Sequence, residues 1–137
     1  MRLKWVWLFV IMLLLAGCQP SYWVLEKERI GEGSSDLEIY ANYLQMHADV
    51  KGYQVFTISE GKKMVVVSLG SSENDKQLEV SDVKFSSKET VVTVKRKPAS
   101  KANETNPYIL IGLDKIEGEF LVQDEKGNRF EETDYQQ

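Results

Sequence analysis

Few side chains in this sequence carry reactive chemistry of their own. There is one cysteine, Cys18, and one histidine, His47. Cys18 follows Leu15-Ala16-Gly17 at the end of an apolar run. A thiolate is the strong nucleophile among side chains, and the residues just before Cys18 are small. His47 has no cysteine partner for a structural zinc site. A catalytic histidine needs a nucleophile and an orienting group, and no spacing here supplies them. Ser68, Ser71 and Ser72 lie near Gly70, but a nucleophile elbow has glycine on both sides of its serine. Glu73 with Asp75, and Asp124 with Glu125 and Asn128, lack the alternating ligand spacing of a calcium loop and read as solvated turns. No metal and no other cofactor is expected. Lys95-Arg96-Lys97 is the one basic cluster. With Lys101 it suits contact with anionic headgroups or wall polymers, but charged gatekeeping at a strand end is the favoured reading.

The first residues explain what Cys18 is for. Arg2 and Lys4 give a positive start, Trp5 to Leu15 is unbroken apolar sequence, and Ala16 and Gly17 are small. That is the layout of a secretory signal. The apolar run is shorter than the ~20 residues a permanent membrane helix needs. Leu15-Ala16-Gly17-Cys18 resembles a lipobox, the signal of bacterial lipoproteins. The resemblance implies that Cys18 is alkylated by a diacylglyceryl group and that residues 1–17 are removed. Two acyl chains anchor stably where one is marginal. Residues 18–21 are then a short tether carrying lipidated Cys18. Residues 22–137 are one small extracytoplasmic domain, lipid-anchored at the cell membrane and facing outside the cytoplasm.

Composition limits what that domain can be. The net charge is −4, and losing Arg2 and Lys4 makes it more acidic. Such a chain is not built to bind nucleic acid over a broad face. With a single Cys there is no disulfide, so the fold rests on an apolar core, which this length can supply. Six Tyr, five Phe and three Trp argue against disorder, although Trp5 and Trp7 leave with the signal.

The elements follow from periodicity. Ser21 to Leu25 reads as a first strand or an arm, with Trp23 as a packing anchor. Ser35 with Glu38 has the form of a capping box. Leu37, Tyr40, Ala41 and Leu44 then share one helical face, which predicts a helix from about Asp36 to about Val50 ending at Gly52. Tyr53–Ile58, Lys63–Leu69, Thr90–Lys95 and Tyr108–Leu113 read as strands, the second and fourth as buried ones. Leu78 and Val80 alternate in one phase, Val83 and Phe85 in the other, so a bulge is expected near Ser81 and Asp82. Phe120–Gln123 and Arg129–Glu131 flank a hairpin turn. The polar tail from Glu132 is expected to fray. Short connections exclude helical crossovers. The expected fold is α+β, one N-terminal helix packed on a mainly antiparallel curved sheet or small β-sandwich.

The run of a helix, Gly52-Tyr53-Gln54-Val55-Phe56, Val65-Val66-Val67-Ser68-Leu69-Gly70, Val91-Val92-Thr93-Val94-Lys95 and Asn106-Pro107-Tyr108 resembles the C-terminal domain of PrcB-type proteins. These are exported domains named for a subunit of a surface protease complex. Where that family has a Thr-Gly-Gly-Tyr-like loop, this chain reads Ser71-Ser72-Glu73-Asn74-Asp75-Lys76. The resemblance implies a partner-binding or stabilising role with no catalytic residues to carry over. The expectation is a membrane-anchored lipoprotein that binds or stabilises another envelope protein, such as a protease complex, and is not an enzyme. The loops Gly70 to Lys76 and Pro98 to Pro107 are the expected contact surface. Ser71, Ser72, Glu73, Asn74, Asp75, Lys95, Arg96 and Lys97 are its candidate residues. The alternative is a lipoprotein that senses a small ligand or wall polymer.

Overall fold

The computed structural model describes residues 20–99 and 104–137. Residues 1–19, with the expected signal segment and Cys18, and residues 100–103 of the polar loop lie outside the described residues. Among the described residues, eight strands form two four-stranded sheets. The strands are β1 (Tyr22–Leu25), β2 (Lys51–Thr57), β3 (Lys63–Leu69), β4 (Lys76–Phe85), β5 (Glu89–Pro98), β6 (Tyr108–Leu113), β7 (Glu119–Asp124) and β8 (Arg129–Phe130). The first sheet has the order β1-β6-β3-β2 and is antiparallel throughout. The second has the order β4-β5-β7-β8, with β5 and β7 running parallel. The fold is α+β, a sandwich of two mostly antiparallel sheets with helix α1 (Ser35–Met46) on one outer face.

The unbroken apolar runs become the middle layer. In β3 and β6, Val65, Val67, Leu69, Ile109, Ile111 and Leu113 face the second sheet and meet Leu78, Val92, Val94, Val122 and Phe130. Met64, Val66 and Leu110 alternate to the other side and meet Leu37, Tyr40 and Leu44 of α1. A strand buried on both faces has no polar alternation to show, which is why these two segments read as continuous hydrophobic sequence. Trp23 packs on the helix side of this sheet as the anchor its type suggests. Its ring lies over Gly112, where a Cβ would come within 2.0 Å of the indole.

The two-phase pattern of β4 is a bulge, with the pairing shifted between Val80 and Asp82. The extra residue returns Val83 and Phe85 to the face already used by Leu78 and Val80, and all four pack against the inter-sheet core.

Three expectations are corrected. Ser34, not Ser35, caps α1, accepting the N–H groups of Asp36 at 3.0 Å and Leu37 at 3.4 Å. The helix stops at Met46 because His47 leaves helical geometry, with φ −116° and ψ 69°. Gly52 therefore ends no helix. It lies inside β2 at φ 145°, where a Cβ would sit 2.3 Å from the carbonyl oxygen of Glu131. The tail also does not fray. The N–H of Thr133 bonds the Tyr53 carbonyl at 2.9 Å, and the N–H of Tyr53 bonds the Glu131 carbonyl at 3.0 Å. The Tyr135 ring packs 4.7 Å from that of Tyr40 and 4.8 Å from that of Tyr43. Polar sequence hides this because the backbone makes the pairing and a single aromatic supplies the packing.

The sandwich has two distinct ends. At the entry end, Tyr22 pairs with Leu113 and Leu113 with Lys63, beside Phe85 and the turn after it. At the loop end, Lys51 pairs with Leu69, and β5 and β7 finish at Pro98 and Asp124.

Candidate functional site

Strand alternation builds the site at the loop end. In β5, Val92 and Val94 point between the sheets, and Arg96 continues that face. In β7, Val122 does the same and Asp124 follows it. The inter-sheet core thus ends in charge. Arg96 donates to Glu73 through Nε at 2.6 Å and through a terminal nitrogen at 3.3 Å, and to Asp124 at 3.1 Å. Lys51 at the start of β2 approaches Glu73 at 3.7 Å. The Arg96 guanidinium lies 5.7 Å from the Phe130 ring centre, and the Lys51 ammonium 5.9 Å. One short network therefore joins both sheets and the loop after β3 across an aromatic floor.

The turn after β7 completes it. The Asp124 carboxylate accepts the N–H groups of Lys126 at 2.9 Å and Asn128 at 3.0 Å, and the Asn128 amide at 3.2 Å. Burial disfavours the charged form of Asp124, but these donors and Arg96 outweigh it and hold the carboxyl below its ordinary value. Burial likewise opposes the charge on Arg96, and Glu73 and Asp124 reverse that and raise it. The cleft around these groups has a volume of about 500 Å³.

The loops beside the cleft are stapled by Asn106, which is fully buried. Its side chain accepts the Gly70 N–H at 2.8 Å and donates to the Val50 carbonyl at 2.8 Å. Gln45 of α1 bonds its backbone at both ends, donating at 2.9 Å and accepting at 3.2 Å. The Ala99 N–H reaches the Asp75 carbonyl at 3.0 Å. The described parts of both predicted contact loops therefore meet at one end of the molecule.

Compared with known proteins, the chain is 86% identical over 137 residues, 100% of both chains, to the Uncharacterized protein YycS of Bacillus subtilis (strain 168). The chain belongs to the YycS family. No family model matches it, and no solved structure matches it.

The candidate residues of this YycS-family chain divide into two groups. Glu73 and Arg96 meet in the cleft. Ser71 is half-buried, its N–H bonded to the Ala48 carbonyl at 2.7 Å, while Ser72, Asn74 and Asp75 are exposed on the same loop. Lys95 and Lys97 go elsewhere, because strand alternation sends them to the outer face of the second sheet. There both pair with Glu79, Lys95 at 3.7 Å and Lys97 in a closer hydrogen bond. The triplet that reads as one basic cluster is split across the sheet. Asp124 is corrected as well. It reads as a solvated turn residue, yet it is 6% exposed and turned inward. Lys51, Asp124 and Asn106 are the residues that pattern reading missed. Counting by twos from Val94 and Val122 is the signal that finds Arg96 and Asp124.

His47 is exposed at the end of α1, its ring stacked 4.3 Å from that of Tyr43. Among the described residues no group of three or more His, Cys, Asp or Glu side chains could hold a metal ion. No helix among them is long and apolar enough to cross a membrane.

Proposed function

We propose that this YycS-family chain is a lipid-anchored envelope protein whose loop end binds or stabilises another envelope protein. Cys18, outside the described residues, carries the anchor. The observation that carries this reading is the division of labour between the two ends. The chain enters the fold at Pro20 and Tyr22, four residues or fewer after Cys18. The described parts of both candidate loops, with the charged cleft between the sheets, gather at the opposite end. An anchored domain of this shape presents its loops away from the membrane by roughly the length of a seven-residue strand, about 23 Å. The described residues of the loop end are also tied in place: Asn106 bonds Gly70 and Val50, and Arg96 bonds Glu73, before any partner arrives. Preorganised loops lose little entropy on binding. The PrcB-like run ending in Asn106-Pro107-Tyr108 supports a partner role, and a protease complex is the partner class it suggests.

The cleft is a binding feature in this account, not a catalytic one. Arg96 stands between Glu73 and Asp124 and engages both acids. A second reading, sensing of a small ligand or wall polymer, is favoured by the cleft volume of about 500 Å³, which lies in the range of ligand sites.

Site-specific photocrosslinking in cells separates these readings. A photoreactive residue at Ser72 or Glu125 should give an adduct with a specific envelope protein, and one at Lys115, at the entry end, should not. Absence of protein adducts at both loop positions, in cells where the chain is present in membranes, would contradict partner binding.

A further inference from the structure

The entry end carries an apolar surface of its own. Pro20, Ser21, Tyr22, Val83 and Phe85 line a recess of about 610 Å³ between the edges of the two sheets. Tyr22 is 45% exposed, although it sits on the inner side of its sheet. Neither β1 nor β4 has a strand beyond it, and their side chains here are left without a full cover. The length of chain before this patch identifies what covers it. Four residues take the chain from Cys18 to Tyr22, and four residues span at most about 14 Å when fully extended. Tyr22, at the edge of the patch, therefore lies within that reach of Cys18, the residue proposed to carry the lipid.

We propose that this patch rests against the bilayer surface, with Tyr22 and Phe85 at the headgroup level, so that the sandwich stands with its loop end outward. The inference rests on lipidation of Cys18. Tyrosine suits this position because it is apolar along the ring and polar at its tip. Of the neighbouring charges, Lys84 pairs with Glu89 at 3.9 Å and Lys115 with Glu117 at 2.7 Å, the Asp114 carboxylate accepts the N–H and the hydroxyl of Ser21, both at 2.9 Å, and Lys88 is exposed. The contact proposed is therefore the one made by the apolar side chains Tyr22, Val83 and Phe85. Lys95-Arg96-Lys97, the other candidate for headgroup contact, lies toward the opposite end with all three side chains in ion pairs.

The test uses the full, processed chain reconstituted in phosphatidylcholine liposomes containing nitroxide-labelled lipid. Cys18 is blocked by its lipid, so an introduced cysteine is the single free thiol for a fluorescent label. A label at Val83→Cys should lose its emission to the nitroxides. A label at Lys126→Cys should keep it. Lys88→Cys, in the exposed turn after Phe85, repeats the first measurement without touching the core and should also be quenched. Adding Phe85→Ser to Lys88→Cys should restore emission. Emission retained at 83 and 88 in protein whose mass confirms the diacylglyceryl group would overturn the proposal and leave anchoring intact. A mass showing Cys18 unmodified would overturn the anchoring reading, and this proposal with it.

Discussion

Arg96 shows what one residue does when a strand carries it past the end of a core. Its charge is accommodated because Glu73 and Asp124 receive it from two directions, and its plane lies near Phe130. Removing it leaves two acids facing each other with one fewer cation. Arg96→Ala should destabilise the domain by about 1.5–3 kcal/mol, as for other hydrogen bonds to charged groups. A urea titration of the non-lipidated domain checks this. Asp124 adds a pH dependence. Its folded-state pKa is lowered, so its contribution is fully present above the unfolded carboxylate value. The contribution is lost as pH falls below about 4 and on through the folded value. Asp124→Asn should therefore flatten the acid side of the stability profile while lowering stability at neutral pH. An unchanged acid limb would show that Asp124 is not the titrating group. At this scale the sequence is partly legible. Arg96 and Asp124 have clear two-residue spacing from buried valines, but adjacency to Lys95 and to a Gly-containing turn suggests the wrong company for each. Nothing local marks Asn106, since its partners Gly70, Val50 and Gln45 are brought to it only by the fold.

Among the elements, the C-terminal tail departs most from its composition. It is polar, and it holds the edge of β2 through paired backbone groups and places Tyr135 in the aromatic cluster under α1. It also explains the glycine at position 52, where the tail crosses too close for a side chain. Deleting residues 132–137 should cost about 2–4 kcal/mol, the sum of a few hydrogen bonds and an aromatic contact. Denaturant unfolding of the truncated domain measures it, and a loss near zero would mean that the tail is ornamental. Elements with strong periodicity were legible in advance. The helical face of Leu37, Tyr40, Ala41 and Leu44 is buried, Lys63–Leu69 and Tyr108–Leu113 are the central strands, and the phase change in β4 is a bulge. Boundaries were not, because they depend on tertiary partners. Ser34 takes the cap one residue before Ser35, and the chain turns at His47.

At the scale of the molecule, the class was legible and the pairing was not. A helix followed by strands with short connections implies α+β. Nothing in a strand's own pattern says that β1 pairs with β6, or that β5 and β7 run parallel. Those choices follow from which apolar faces meet, and a strand apolar on both faces accepts several neighbours. The pairing nevertheless determines the geometry on which the proposed function rests. It puts the chain entry at one end and both candidate loops at the other. The account therefore turns on Cys18, because an anchor there gives the two ends their meanings. The most direct measurement is metabolic labelling with a tagged fatty acid, with the mass of the N-terminal peptide, in the wild-type chain and in Cys18→Ser. Anchoring at Cys18 requires a wild-type chain that begins at Cys18, carries a diacylglyceryl group and takes the label, and a Cys18→Ser chain that takes none. A wild-type chain without lipid on Cys18, or label retained by Cys18→Ser, would contradict it.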